Sequence, residues 1–211
     1  MRSLLKDWKN CSRTKNNYQP AMKELKEKIL NEGVAIGTEI VKVDHFLNHM
    51  LDIGFLERIG AEFRKRFADS EVDKILTVEA SGIAVACLTA PCFGYPPVVF
   101  AKKARPSTMN DGFYEADARS FTKGTVSKFR VAKDLLTAGE KVLIIDDFMA
   151  HGEASMALTE IVGQAGGKVI GIGAVIEKGF QGGSRRLREK GYTVESLAVI
   201  KEISDGNIIF E

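Results

Sequence analysis

Hydrophobic and polar residues follow two different periods along the chain, and the change between them predicts the fold. Helical periods run from Met22 to Asn31 and from Asp52, a favoured N-cap type, to about Asp69. Short apolar runs separated by helical stretches follow, and they indicate a mostly parallel sheet with helices on both faces. The predicted strands are 74–78, 97–101, 141–146, 168–177 and 194–200, and the predicted helices among them are about 82–92, 153–165 and 181–190.

Two segments lie outside these patterns. Residues 1–21 are basic and have no helical apolar stripe, and we interpret them as an N-terminal extension rather than part of the core, either native or non-native and either ordered or disordered. We expect one domain over 22–211, and a chain that started at Met22 would lose no feature we can interpret. Residues 102–125 are polar and without a clear period, and long stretches of this kind inside a compact domain are usually functional or disordered.

Composition removes several classes of protein. The chain has 211 residues, of which 45% are hydrophobic and 27% charged, and its formal charge of +2 is too balanced for nonspecific binding to nucleic acid or anionic membranes. No apolar run approaches the roughly 20 residues that span a bilayer, and the first residues lack the apolar stretch of a secretory signal. The three cysteines form no CxxC pair. We therefore expect reduced thiols, a cytoplasmic location, and no membrane or nucleic-acid partner.

The segment that carries chemistry is 142–154. Four apolar residues predict a buried strand, Asp146 and Asp147 follow at its carboxyl end, and a loop of mostly small residues then leads into a helical pattern. Ligands of open α/β sheets bind at this end of the strands, and a helix N-terminus offers unpaired N–H groups to a phosphate. Adjacent carboxylates repel each other, so hydroxyl donors or a cation would stabilise their charged forms.

At these residues the chain resembles the type I phosphoribosyltransferases, whose signature is an apolar strand, an acidic pair and a phosphate loop. The resemblance covers residue 22 to the end and implies a central, mostly parallel sheet flanked by helices, with a small hood from about 33–50 and 194–211. Further stretches resemble the members that act on xanthine: VKVDHFLNH (41–49), VEASGIA (78–84), VVFAKK (98–103), SFTK (120–123), VLIIDDF (142–148) and GIGAVIEKGF (171–180).

The resemblance implies a purine-salvage enzyme that converts xanthine and 5-phosphoribosyl 1-pyrophosphate to xanthosine monophosphate and pyrophosphate. It also implies a homodimer and magnesium, which would arrive with the substrate rather than on assigned protein ligands. The implied catalytic pair is Asp146 and Asp147, which would hold the ribose hydroxyls. The residues implied to bind phosphoribosyl pyrophosphate are Ala150, His151, Gly152, Glu153 and Ala154 around the 5-phosphate, Ala80, Ser81 and Gly82 in the pyrophosphate loop, and Lys102 and Lys103 beside a mobile loop. Those implied to bind the purine are Val41, Asn48, Lys178, Phe148 and Phe180.

The chain departs from the family pattern in its phosphate loop. The usual Thr-Gly-Gly-Thr is here His151 to Ala154, so hydroxyl contacts are missing and the Glu153 carboxylate must point away from the phosphate. Ser155 is a candidate for restoring one hydroxyl. Ala150 stands where hypoxanthine-guanine enzymes carry an aspartate thought to take the purine proton, which leaves the proton acceptor open.

Other interpretations compete with this one. Guanine or hypoxanthine is the alternative substrate, and a non-catalytic regulator related to the purine operon repressor, which senses phosphoribosyl pyrophosphate, is the alternative from another class. The acidic pair could be a solvated strand end, and Lys178 an exposed lysine. His45 and His49 have a spacing compatible with zinc, although ordinary hydrogen bonds are favoured. The run 185–190 is interpreted as the solvated face of a helix, with Leu187 directed inward.

Overall fold

The structure is a computed structural model that describes residues 20–104, 112–120 and 125–211. Residues 1–19, which make up most of the predicted extension, and 105–111 and 121–124, in the polar stretch, lie outside these ranges. The helices are α1 Pro20–Glu32, α2 Ile53–Arg66, α3 Ser81–Thr89, α4 Glu153–Gln164 and α5 Gly183–Glu189. The strands are β1 Val34–Ile36, β2 Ile40–Lys42, β3 Lys74–Val78, β4 Val98–Ala101, β5 Phe113–Ser120, β6 Thr125–Ala132, β7 Lys141–Met149, β8 Lys168–Lys178, β9 Val194–Ser204 and β10 Asn207–Phe210.

The centre of the fold is a six-stranded sheet in the order β10-β9-β8-β7-β3-β4. Every neighbouring pair is parallel except β9 and β10, which are antiparallel. This confirms the predicted mostly parallel sheet. Because β7 lies between β3 and β8, the end of β7 meets the ends of two other parallel strands at one edge.

The buried residues of β7 alternate between two cores, as strand geometry requires. Leu143 and Ile145 belong to the core formed with α1, α2 and α3, whereas Val142 and Ile144 belong to the core formed with α4 and α5. Helices therefore cover both faces of the sheet, as the sequence predicts. The predicted start of α2 is also confirmed, since the backbone N–H of Phe55 donates to Asp52 Oδ1 over 3.0 Å.

The polar stretch 102–125 is more regular than its sequence indicates. Its second half pairs as β5 with β6 in an antiparallel hairpin. Ala116 and Ala118 face the core from β5, and alanine gives little hydrophobic contrast with the polar residues beside it. Glu115 pairs with Lys128 and Arg130 across the hairpin, so charges that suggested a loop stabilise strands instead.

A second hairpin, β1 with β2, precedes a short π-helical turn at Asp44–Asn48. Val41 and Phe46 from this segment share a core with Ile200 and Ile203 of β9, so the segment packs on the central sheet at β9. β9 and β10 are themselves part of that sheet. The predicted limits of the hood and of the extension remain predictions. Within the described residues, no helix is both long enough and apolar enough to cross a membrane.

Candidate functional site

The acidic pair lies buried at the carboxyl end of β7. Asp146 is 5% exposed and Asp147 is 7% exposed, and the backbone N–H of Asp147 donates to Asp146 Oδ1 over 3.0 Å. The strand continues to Met149, since Phe148 and Met149 still pair with β8. The pair is therefore held within the sheet rather than at a solvated strand end.

Burial and the neighbouring Asp147 charge raise the pKa of Asp146 well above its usual value, while the Lys103 charge acts in the opposite direction. A buried carboxylate beside a second one is electrostatically unfavourable unless a cation or hydroxyl donors approach it. The two hydroxyls of a ribose can donate such hydrogen bonds, and a divalent cation can supply the opposite charge. The electrostatics of the pair therefore favour a polyhydroxylated or metal-bearing ligand.

The segment after β3 packs directly against this pair. A Cβ on Gly82 would lie 2.3 Å from Thr77 Oγ1 and 2.7 Å from Asp146 Oδ1, so only glycine fits in this first turn of α3. The Thr77 hydroxyl is fully buried and has no hydrogen-bond partner among the described residues. Ser81 begins α3, and the peptide bond between Glu79 and Ala80 is cis. Since Gly82 packs against Asp146, the segment Ala80–Gly82 brings the N-terminus of α3 to the acids.

Lys102 and Lys103 leave β4 beside this turn. Lys102 exchanges two backbone hydrogen bonds of 2.9 Å with Arg130 of β6, which fixes the start of the polar stretch. The backbone N–H of Lys103 donates to Glu79 Oε1 over 2.6 Å. Because Lys103 is close enough to Asp146 to lower its pKa, the lysine charge belongs to the same site.

The predicted phosphate loop turns from β7 into α4. Gly152 has a φ of 79°, which favours glycine, and α4 begins at Glu153. The first N–H groups of a helix have no partner within the helix, so the loop offers donors and a positive dipole end. Ser155, the candidate for a restored hydroxyl, is 3% exposed in the first turn.

The loop is packed against the chain that follows β8. A Cβ on Gly183 would lie 2.4 Å from the Ala150 carbonyl oxygen, and the Gly183 N–H donates to that oxygen over 3.1 Å. His151 Nδ1 is 3.2 Å from the Gln181 carbonyl oxygen. The Glu153 carboxylate accepts from Arg186 Nη1 over 2.6 Å. The loop's acidic side chain is therefore engaged by α5.

The residues predicted for the purine lie at the ends of β7 and β8 and in the hood. Lys178 Nζ lies 6.0 Å from the centre of the Phe148 ring. Burial lowers the pKa of Lys178 while the Glu39 charge raises it, which places the β1–β2 turn near this lysine. Phe180 is 42% exposed, Val41 is buried and Asn48 is exposed. Among the described hydrogen bonds and ring contacts, none joins Asn48 to Lys178 or Phe148.

No group of three His, Cys, Asp or Glu side chains arranged to hold a metal ion occurs in the ranges that the structure describes. His45 and His49 are both exposed. A metal at this site would thus depend on oxygen atoms of the substrate beside those of Asp146 and Asp147.

Four residues of the site have no motif to identify them in the sequence. Thr77 lies with Asp146 against Gly82, and Glu39 approaches Lys178 from the hood. Gly183 and Arg186 contact the phosphate loop from about thirty positions further along the chain. Arg186 lies in the run interpreted as a solvated face. The predicted inward direction of Leu187 is confirmed, since this side chain is fully buried. The prediction of a solvated face misses the contact that Arg186 makes with Glu153.

A buried acidic pair followed by a small-residue loop and a helix N-terminus, at the carboxyl end of a parallel sheet, is an arrangement suited to binding a phosphorylated sugar. The model of the phosphoribosyl transferase domain family matches residues 51–206. Xanthine phosphoribosyltransferase 1 of Clostridium perfringens is 52% identical and xanthine phosphoribosyltransferase of Clostridium novyi 49% identical, each over 90% of this chain and 100% of its own length. The chain belongs to the phosphoribosyltransferase family and, within it, to the xanthine phosphoribosyltransferases.

Solved structures agree on the fold. Adenine phosphoribosyltransferase from Rhodothermus marinus has a TM-score of 0.70 at 20% identity and covers 86% of this chain and 99% of its own. The enzyme from Thermoanaerobacter pseudethanolicus has a TM-score of 0.62 at 24% identity, with 70% and 81% covered. At these sequence identities, the solved structures support the fold of the chain and nothing further. The type I phosphoribosyltransferase fold that the sequence predicts is thereby confirmed.

Proposed function

We propose that the protein transfers the phosphoribosyl group of 5-phosphoribosyl 1-pyrophosphate to xanthine, giving xanthosine monophosphate and pyrophosphate. The observation that carries the proposal is the identity of about half of all residues to relatives named xanthine phosphoribosyltransferase, over their whole length. The buried acidic pair beside a phosphate loop supports the same chemistry.

The role proposed for each group of the site follows from its chemistry. The loop Ala150–Ala154 binds the 5-phosphate through backbone N–H groups, and Asp146 with Asp147 accepts hydrogen bonds from the ribose hydroxyls. The turn Ala80–Gly82 and the charges of Lys102 and Lys103 face the pyrophosphate. Pyrophosphate leaves the anomeric carbon with its bonding electrons, and a purine nitrogen bonds to the opposite face. Catalysis then comes from positioning and from neutralising the leaving group.

Magnesium fits this set of donors. The ion usually keeps several waters and takes one or two carboxylates together with substrate phosphate oxygens. Asp146 and Asp147 are the carboxylates available here, and the raised pKa of Asp146 means that a nearby cation would stabilise its charged form. When bound, magnesium would neutralise charge on the departing pyrophosphate.

Purine selection depends on hydrogen-bond polarity. Xanthine presents an acceptor oxygen where guanine presents an amino donor, so a site that donates at this position rejects guanine. We assign this edge to Asn48 with the backbone at Val41, a second oxo group to Lys178, and the ring face to Phe148 or Phe180. No dedicated base stands at Ala150, and xanthine, which is already acidic, needs less help to lose its proton.

The decisive experiment compares turnover of xanthine, guanine, hypoxanthine and adenine with phosphoribosyl pyrophosphate and magnesium. We expect xanthine to have the highest kcat/KM. A wide margin in favour of guanine would contradict the roles given to Asn48 and Lys178. No turnover of any purine, together with tight and sequence-specific binding to purine-operon DNA in a gel shift, would favour the regulator instead.

We also propose that the enzyme is a cytoplasmic homodimer. Purine salvage consumes phosphoribosyl pyrophosphate, a metabolite made inside the cell, which supports the location. Light scattering of the purified chain would give a mass of two subunits, whereas the 23.2 kDa of one chain would contradict the dimer.

A further inference from the structure

The phosphate loop of this chain contains an acidic side chain at the point where an anion is expected. Glu153 is the first residue of α4 and is 20% exposed at its side chain. A carboxylate there is attracted by the same helix dipole and the same N–H groups that would bind a 5-phosphate. A free Glu153 would therefore compete with the substrate, and it would also repel it.

Arg186 of α5 forms an ion pair with this carboxylate. Its Nη1 donates to Glu153 Oε1 over 2.6 Å and to the backbone oxygen of His151 over 2.7 Å. One guanidinium thus holds both the side chain and the backbone of the loop. Because the Arg186 side chain is 43% exposed, solvent screens the ion pair, which therefore adds little to folding stability. Its effect is then expected on the loop rather than on the fold.

The helix that carries Arg186 is itself fixed by a buried carboxylate. Glu177 of β8 is 2% exposed, and it accepts hydrogen bonds from the hydroxyls of Ser184, in α5, and of Ser196, in β9. Arg188 Nη2 also donates to the Val194 carbonyl oxygen over 2.8 Å. The helix α5 is thereby tied to β8 near its start and to β9 near its end, and Arg186 lies between these two contacts.

We infer that Arg186 is a positioning residue for the binding of phosphoribosyl pyrophosphate, and that it acts by holding the Glu153 carboxylate away from the 5-phosphate. This inference rests on the proposed function. The inference assigns the effect of Arg186 to its contact with Glu153 and not to its contact with the His151 carbonyl oxygen, so loss of Arg186 weakens substrate binding only while Glu153 keeps its charge. The proposal therefore predicts that the defect of an arginine variant disappears when the glutamate is neutralised as well.

The test measures the KM for phosphoribosyl pyrophosphate, kcat, and binding of that substrate by calorimetry without a purine. Arg186→Met should raise this KM about tenfold, which corresponds to about 1.4 kcal/mol, and leave kcat within about twofold. Glu153→Gln should lower the KM about twofold, since a repulsive charge is removed. Arg186→Met combined with Glu153→Gln should return the KM to the wild-type value or below.

Arg185→Met is the matched control. It removes the same charge from the same helix, and none of the contacts described for the phosphate loop involves Arg185. We expect its KM to remain that of the wild type, because a rise equal to that of Arg186→Met would assign the effect to net charge and overturn the inference. A double variant as defective as Arg186→Met would also overturn it, since Arg186 would then act without Glu153. Wild-type protein that binds no phosphoribosyl pyrophosphate would instead refute the proposed function.

Discussion

Gly82→Ala tests the packing on which the acidic pair depends. The added Cβ would lie 2.3 Å from Thr77 Oγ1 and 2.7 Å from Asp146 Oδ1, whereas ordinary contacts begin at 3.4 Å. The substitution therefore falls about 1.1 Å and 0.7 Å short of an allowed contact with two buried side chains. Because Thr77 and Asp146 are held in neighbouring strands, α3 must move instead.

A displacement of this size has different effects on stability and on activity. Overpacking in a core costs about 1–3 kcal/mol, so the protein should still fold. A shift of about 1 Å at a catalytic site can cost about 100-fold in rate. We expect kcat/KM to fall by about that factor, while thermal unfolding shows a native, less stable protein.

Gly163→Ala is the control for this experiment. Gly163 lies in α4 with no atom within 4 Å of an added Cβ. Alanine is favoured over glycine inside a helix by roughly 0.5–1 kcal/mol, so this variant should be slightly more stable and fully active. If Gly82→Ala retained the wild-type kcat/KM, the close contact between α3 and the acids would not matter for the reaction, and the reasoning would be refuted.

Three further predictions concern the charged groups of the site. Asp147→Asn should keep the fold, as measured by circular dichroism. Its kcat should fall about 100-fold or more, as expected for the loss of an electrostatic partner. Unchanged turnover would show that the acidic pair has no part in the mechanism. The raised pKa of Asp146 means that the folded state holds this proton more tightly than the unfolded chain, so stability is lost as the pH rises from the usual value of 3.8 through the raised one. Asp146→Asn should therefore have a higher Tm than the wild type at neutral pH and a smaller advantage in acid, and equal Tm profiles would contradict this. Lys178→Met should raise the KM for xanthine about 10- to 100-fold, the range for a lost hydrogen bond from a charged donor, with unchanged binding of phosphoribosyl pyrophosphate alone; an unchanged KM would place the purine elsewhere.

The central sheet could be predicted from the sequence because its strands are apolar on both faces. Buried runs such as Leu143 to Ile145 need no alternation, and their position between helical patterns indicates a parallel arrangement. The hairpin of β5 and β6 could not be predicted in this way. Its inward residues include alanines, and its outward charges pair across strands that only the folded chain brings together.

The candidate site was predictable where the signal is local. The acids and the phosphate loop are consecutive in sequence, so their proximity follows from one strand and one turn. Arg186 and Thr77 reach the same site from other elements, and no spacing rule connects them to it. An arginine beside three other charged residues in a short helix has the pattern of a solvated surface, which is why its contact with Glu153 could not be predicted.

The nine residues from Lys178 to Arg186 serve both ends of the substrate. The first is assigned to the base, and Gln181, Gly183 and Arg186 hold the loop assigned to the sugar phosphate. Substitutions in this stretch that adapt the site to a new base would therefore also weaken the contacts that hold the loop assigned to phosphoribosyl pyrophosphate. Val41 and Asn48, which are also assigned to the base, make none of the contacts described for the phosphate loop and are the better positions at which to redesign specificity.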